Sequence, residues 1–133
     1  MPSPIRVLTA VPICDGHDSA INTINLEFIQ HGIEVVYLGF HRYAKDIVRA
    51  AVQEDVDAVG LSILSGAHNR LLPEIVKLLR DAGAHDVLVF AGGIIPDRDI
   101  APLKQAGVDQ IFLPGTSTGE IVKYLETRLP ETH

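Results

Sequence analysis

The sequence predicts an α/β fold, one parallel sheet of five strands with helices on both faces. Two observations predict it. Short apolar runs alternate with amphipathic stretches at helical spacing from the start of the chain nearly to its end. With 133 residues, the chain also fits one domain, 1–133, large enough to bury a core without disulfide or metal staples.

The elements follow in order. Ile5 to Ala10 reads as the first strand, and Ala20 to Gln30 as a helix ending near His31-Gly32, where glycine suits the left-handed residue after a helix. Glu34 to Leu38 is the second strand. Residues 44–54 place Ile47, Val48, Ala51 and Val52 on one face of a helix, and Ala58 to Ser62 is a buried third strand. Leu71 to Leu79 is helical, Val87 to Ala91 a strand, Asp97 to Gln105 helical, Gln110 to Leu113 a strand, and Thr118 to Arg128 a closing helix. Right-handed crossovers place these helices on both faces of the sheet. The arrangement is flavodoxin-like (Rossmann-like), strand order 2-1-3-4-5, and ligands of such sheets bind beyond the carboxyl ends of the strands where the order reverses. The loops to search are therefore 11–19, 39–43, 62–69, 92–96 and 114–117.

Composition narrows the partners. Apolar residues make up 47% of the chain, but in runs too short for a membrane span, so no membrane is expected. A formal charge of −6 without a Lys/Arg cluster argues against nucleic acid. The N-terminus lacks the pattern of a secretory signal, and the single cysteine, Cys14, forms no internal disulfide. A cytoplasmic location is the expectation.

The first loop carries Cys14-Asp15-Gly16-His17-Asp18-Ser19. A metal-binding imidazole usually donates its second ring N–H to a carboxylate, so Asp15 and His17 form a possible relay to a metal; equally, Asp15-Gly16 is a turn and Asp18 or Ser19 a helix cap. The third loop, Ser62-Ile63-Leu64-Ser65-Gly66-Ala67-His68, brings hydroxyls and a glycine to the ligand edge, where they also suit a strand-to-helix turn. Gly92-Gly93 stands where a side chain would obstruct close backbone approach, although paired glycines are common in turns. Pro114-Gly115-Thr116-Ser117 enters a helix and is a candidate anion or amide site as well as a cap.

Asp15-x-His17, Ser62-x-Leu64 and Gly92-Gly93, each directly after a strand, together resemble the cobalamin-binding domain of the methylmalonyl-CoA mutase family and its methionine synthase relatives, over nearly the whole chain. The resemblance implies a cofactor whose dimethylbenzimidazole leaves cobalt and threads with its nucleotide tail into the domain, while His17, the metal ligand, takes the vacated position. It further implies Asp15 as partner of His17, with Gly16, Asp18 and Ser19 beside it. Ser62 would hydrogen-bond the buried base, Leu64, Ser65 and Gly66 would lie near corrin or tail, Gly92 and Gly93 would line the tail channel, and Gly115 and Thr116 its far end. His68 is either at the corrin rim or an exposed helix-start residue.

Two positions depart from the family pattern. Ala20 replaces the glycine that ends Asp-x-His-x-x-Gly, and Val11 stands where many methylmalonyl-CoA mutases carry a lysine that extends the relay. The motifs divide between the isobutyryl-CoA, 2-hydroxyisobutyryl-CoA and methylmalonyl-CoA types, so the acyl group stays open.

By this resemblance the chain is expected to be a small subunit, inactive alone, that holds adenosylcobalamin and its cobalt against a large barrel-fold subunit carrying the acyl-CoA, for radical 1,2-rearrangement of the carbon skeleton. The alternatives are a corrinoid carrier, sensor or methyl-transfer module, though methyl-transfer modules resemble longer chains with a helical domain in front. A phosphorylation receiver domain shares the fold but needs an acidic residue after the first strand, Asp after the third and Lys after the fifth; this chain offers Val11-Pro12, Ser62 and Pro114. Apolar Ile63, Leu64, Ile94 and Ile95 at the ligand edge are expected to serve either as interface or as loop packing.

Overall fold

A computed structural model describes residues 4–11, 19–40, 43–63, 68–93, 95–113 and 115–129. Within them, β1 (Arg6–Val11), β2 (Glu34–Phe40), β3 (Ala58–Ile63), β4 (Leu88–Gly93) and β5 (Gln110–Phe112) alternate with α1 (Ser19–Gln30), α2 (Ala44–Gln53), α3 (His68–Asp81), α4 (Asp97–Gln105) and α5 (Thr118–Arg128). The strands pair in parallel in the order β2-β1-β3-β4-β5, the flavodoxin-like order expected.

Alternation along the strands divides the core in two. Leu8 and Ala10 of β1, Val59, Leu61 and Ile63 of β3, and Val89 and Ala91 of β4 face α2, α3 and α4, where they meet Ile47, Leu72, Ile75, Leu79 and Leu103. On the other face Val7, Ala58 and Phe90 meet Phe28 of α1 and Ile121, Val122 and Leu125 of α5. Each face of the sheet is thus sealed by helices, as a parallel sheet requires.

Several strand ends at the carboxyl edge differ from the sequence expectation, with one cause. The ladder continues at the carboxyl edge through Ser62↔Gly92 and Ile63↔Gly93, so β3 and β4 absorb residues assigned to loops; β2 likewise runs on to Phe40, paired with Val11. Helix α3 starts at His68 and carries Pro73 inside it, rather than starting at Leu71. Val52, expected on the buried face of α2, is 46% exposed, because Ala44, Ile47, Val48 and Ala51 already complete that face. Ile63 and Ile95 are buried, at 2% and 4% exposure, and are therefore core rather than free surface; Leu64 and Ile94 lie outside the described residues. No helix among the described residues is long and apolar enough to cross a membrane.

Candidate cofactor-tail cleft

A narrow cleft of about 80 Å³ opens on the α1/α5 side of the sheet, toward the carboxyl ends of its strands. Strand register sets its depth. Thr9, Gly60 and Phe90 form one rank across β1, β3 and β4. Ser62, Gly92 and Phe112 form the next, two residues nearer the carboxyl edge on β3 and β4, or about 7 Å at the usual strand rise. Ile24 of α1 and Ile121 of α5 also line the space.

Small residues keep the cleft open. A Cβ on Gly60 would lie 2.5 Å from Cζ of Phe90, so the ring crosses onto β3 only because that position is bare. Phe90, Phe112 and Tyr124 meet edge to face, with centroids 6.0, 5.8 and 5.2 Å apart, a favoured aromatic geometry. Ser62 is half-buried, and its hydroxyl has no hydrogen-bond partner among the described residues. Thr9 is fully buried and donates from Oγ1 to Oδ1 of Asn25 at 2.8 Å.

At its base the α5 wall is anchored by Asp109, which accepts from Tyr124 Oη at 2.5 Å and from Arg128 Nε and Nη2 at 3.1 and 2.7 Å. Burial raises the Asp109 pKa, but the hydrogen bonds from Arg128 and Tyr124 outweigh it and hold the carboxyl below the usual carboxylate range. Burial, then the bond to Asp109, pushes the Tyr124 hydroxyl up. A carboxyl depressed in the folded state stabilises fully above its unfolded pKa, near 3.8, and that contribution is lost as pH falls through the folded value. Asp109→Asn should therefore cost about 1.5 kcal/mol at pH 6, and the difference from wild type in urea unfolding should shrink as pH falls below 3.8.

The sequence-nominated residues fall into three groups. Ser62 and Gly92 line the cleft. Gly93 adjoins it without lining it: its φ is +143° and a Cβ there would sit 1.8 Å from the Ile63 carbonyl oxygen, so its bareness serves the β3–β4 contact. Gly115, at φ +94°, and Thr116 form the turn after β5, where the Thr116 N–H and Oγ1 both donate to the Leu113 carbonyl at 3.1 and 2.7 Å; Ser117 caps α5, accepting from the Glu120 N–H at 3.2 Å. Ser19 and His68 begin α1 and α3. Asp15, Gly16, His17, Asp18, Leu64, Ser65 and Gly66 lie outside the described residues. Thr9, Ile24, Asn25, Phe90 and Phe112 were missed from sequence. Asn25 alone gave a signal, as a polar residue on the apolar α1 stripe with Ile24 and Phe28.

The fit to a flat aromatic group follows from this lining. Whole small-molecule pockets occupy roughly 300–1,000 Å³, whereas this cleft has room for about one ring system. Its surface is apolar and aromatic apart from the hydroxyls of Thr9 and Ser62.

Comparison with known proteins gives the family. The chain is 41% identical over 120 residues to the 2-hydroxyisobutanoyl-CoA mutase small subunit of Aquincola tertiaricarbonis, covering 90% of this chain and 88% of that one. It is also 41% identical over 113 residues to the fused isobutyryl-CoA mutase of Nocardia farcinica, covering 84% of this chain but 10% of that much longer protein. Among solved structures, a cobalamin-binding protein from Desulfitobacterium hafniense superposes with a TM-score of 0.78 at 24% identity, over 94% of this chain and 59% of that one. A Francisella response regulator receiver domain superposes at 0.70 with 16% identity, over 97% and 99%, so the architecture alone does not distinguish the two classes. Residues 5–123 match the B12 binding domain, and the chain, a relative of the acyl-CoA mutases, belongs to that family.

Proposed function

We propose that this chain is the cobalamin-carrying small subunit of an adenosylcobalamin-dependent acyl-CoA mutase. The observation that carries the reading is the match to a mutase small subunit over 90% of this chain and 88% of the relative. The fused isobutyryl-CoA mutases, in which a similar segment makes up about a tenth of a longer protein, support a large partner subunit; in this reading that subunit holds the acyl-CoA in a barrel. The cytoplasm is the proposed location.

In this reading the cleft receives the detached base of the cofactor tail. Ser62, whose hydroxyl has no partner among the described residues, hydrogen-bonds the base, and Gly92 permits close passage of the tail. Gly93 holds β3 against β4 beside it, and Gly115 and Thr116 border the same edge. His17, with Asp15 as its partner, would hold cobalt, and Gly16, Asp18, Ser19, Leu64, Ser65 and Gly66 would belong to the surrounding loops. When bound, adenosylcobalamin would supply an organic radical for a 1,2-shift of the acyl carbon skeleton. The protein's part would be to bind and orient the cofactor and to supply a ligand to its metal.

Titration of the chain with adenosylcobalamin, followed by absorbance, tests this. Wild type should give a base-off, His-ligated spectrum; His17→Ala should lose the His-ligated signature and bind at least about tenfold more weakly, or 1.4 kcal/mol. An unchanged spectrum in the variant would remove His17 as the ligand. Failure of the loaded chain to support acyl-CoA isomerisation with any large mutase subunit that co-purifies with it would leave a carrier rather than a mutase component.

A further inference from the structure

The geometry points to Gly60 and Phe90 as the depth stop of the cleft: the bare Cα of Gly60 lets the Phe90 ring lie low on the sheet, and the height of that ring sets how long a lower base the cleft accepts. The inference rests on the proposed seating of the cofactor tail in this cleft.

Bareness at Gly60 is a matter of space rather than of backbone. Unlike Gly93 and Gly115, Gly60 has no positive φ, so an L residue could adopt its strand conformation. What opposes a side chain is the Phe90 ring. A Cβ on Gly60 would lie 2.5, 2.7 and 3.1 Å from Cζ, Cε2 and Cε1 of Phe90, which are the far end of the ring. Phe90 pairs with Gly60 across the β3–β4 ladder, so the ring leans from its own strand and rests its tip on β3.

The ring has little room to move except into the cleft. Phe90 is 5% exposed, and Phe112 and Tyr124 stand edge to face with it at 6.0 and 5.8 Å. The open space beside it is the cleft, which it lines. A methyl group on Gly60 would lift the tip of the ring, and ring and methyl together would take up the inner end of a space of about 80 Å³.

A base that enters past Ser62 and Gly92 leads with the edge remote from its sugar link, which in dimethylbenzimidazole carries two methyl groups. That edge meets the deeper rank of Thr9, Gly60 and Phe90. Methyl groups suit it, because Gly60 and Phe90 carry no polar side chain and the Thr9 hydroxyl already has Asn25 as its hydrogen-bond partner at 2.8 Å. A purely structural pairing of Gly60 with Phe90 fits less well, since a core packed for stability alone would fill the apolar space beside them.

Absorbance titrations of the intact chain test this, with three adenosylated cofactors that differ only in the lower base: benzimidazole, dimethylbenzimidazole and the longer naphthimidazole. Wild type should bind the dimethylbenzimidazole form, adenosylcobalamin, about tenfold more tightly than either of the others. Gly60→Ala raises the stop and should shift the ratio of dimethylbenzimidazole to benzimidazole affinity about tenfold toward benzimidazole. Phe90→Leu lowers the stop while keeping an apolar side chain, and should shift the ratio of dimethylbenzimidazole to naphthimidazole affinity about tenfold toward naphthimidazole. This second variant decides the matter if Gly60→Ala does not fold. A folded variant that leaves its ratio within about threefold of wild type overturns the assignment. If wild type binds adenosylcobinamide, which has no lower base, as tightly as adenosylcobalamin, the seating of the tail in the cleft fails. If it binds none of these cofactors, the proposed function fails, and both outcomes are distinct from an unchanged ratio.

Discussion

Gly93→Ala should destabilise the domain by about 4 kcal/mol, a large part of the stability of a chain this size. The added Cβ would lie 1.8 Å from the Ile63 carbonyl oxygen and 2.9 Å from its carbon. Both are backbone atoms held in the β3–β4 ladder by the Ile63↔Gly93 pairing, so relief requires the two strands to part. The φ of +143° adds its own cost, because L residues rarely adopt it. Gly92→Ala is the matched control. Its Cβ would meet only the Phe112 carbonyl oxygen at 3.6 Å, an ordinary contact, and its effect should stay within about 1 kcal/mol. Urea unfolding of both variants measures the difference; equal losses would mean that Gly93 does not clamp the ladder. Because Ser62 immediately precedes Ile63 on β3, loosening this clamp should also weaken cofactor binding in whatever fraction of Gly93→Ala stays folded.

The five-fold alternation and the strand order were legible because each apolar run is bounded by an amphipathic stretch, leaving few topologies for a parallel sheet. The ends of β3 and β4 were not. Ile63, Gly92 and Gly93 read as loop, and only the register across two strands distant in sequence makes them a ladder. Ser62 and Gly92 were found because polar or bare positions at the end of an apolar strand are unusual. Thr9 was invisible for the opposite reason: a β-branched residue inside a strand raises no question until Asn25 is seen to lie against it. The crossing of Phe90 onto Gly60 is likewise a fact of register. Ser62 at the end of β3 is one of the positions, with Val11-Pro12 and Pro114, that separate this chain from receiver domains of the same architecture, so the distinction lies in side chains rather than in the fold.

Ser62→Phe should lower adenosylcobalamin affinity about 100-fold, or about 2.8 kcal/mol, while leaving the thermal midpoint within a few degrees of wild type. Ser62 lies in the outer rank with Gly92 and Phe112, so a ring at this position enters the cleft that the cofactor base would occupy. The same ring meets favourable surroundings, since Ile24, Ile121 and Phe112 line the slot and no buried partner of Ser62 is lost among the described residues; filling an apolar space compensates the fold for the added bulk. Ser62→Ala isolates the hydroxyl and should cost tenfold or less, the worth of one hydrogen bond. The two variants thus separate occupancy from polarity. A Ser62→Phe protein that binds adenosylcobalamin as wild type does would place the cofactor tail elsewhere, whatever family the chain belongs to, because a cleft of about 80 Å³ cannot hold two rings.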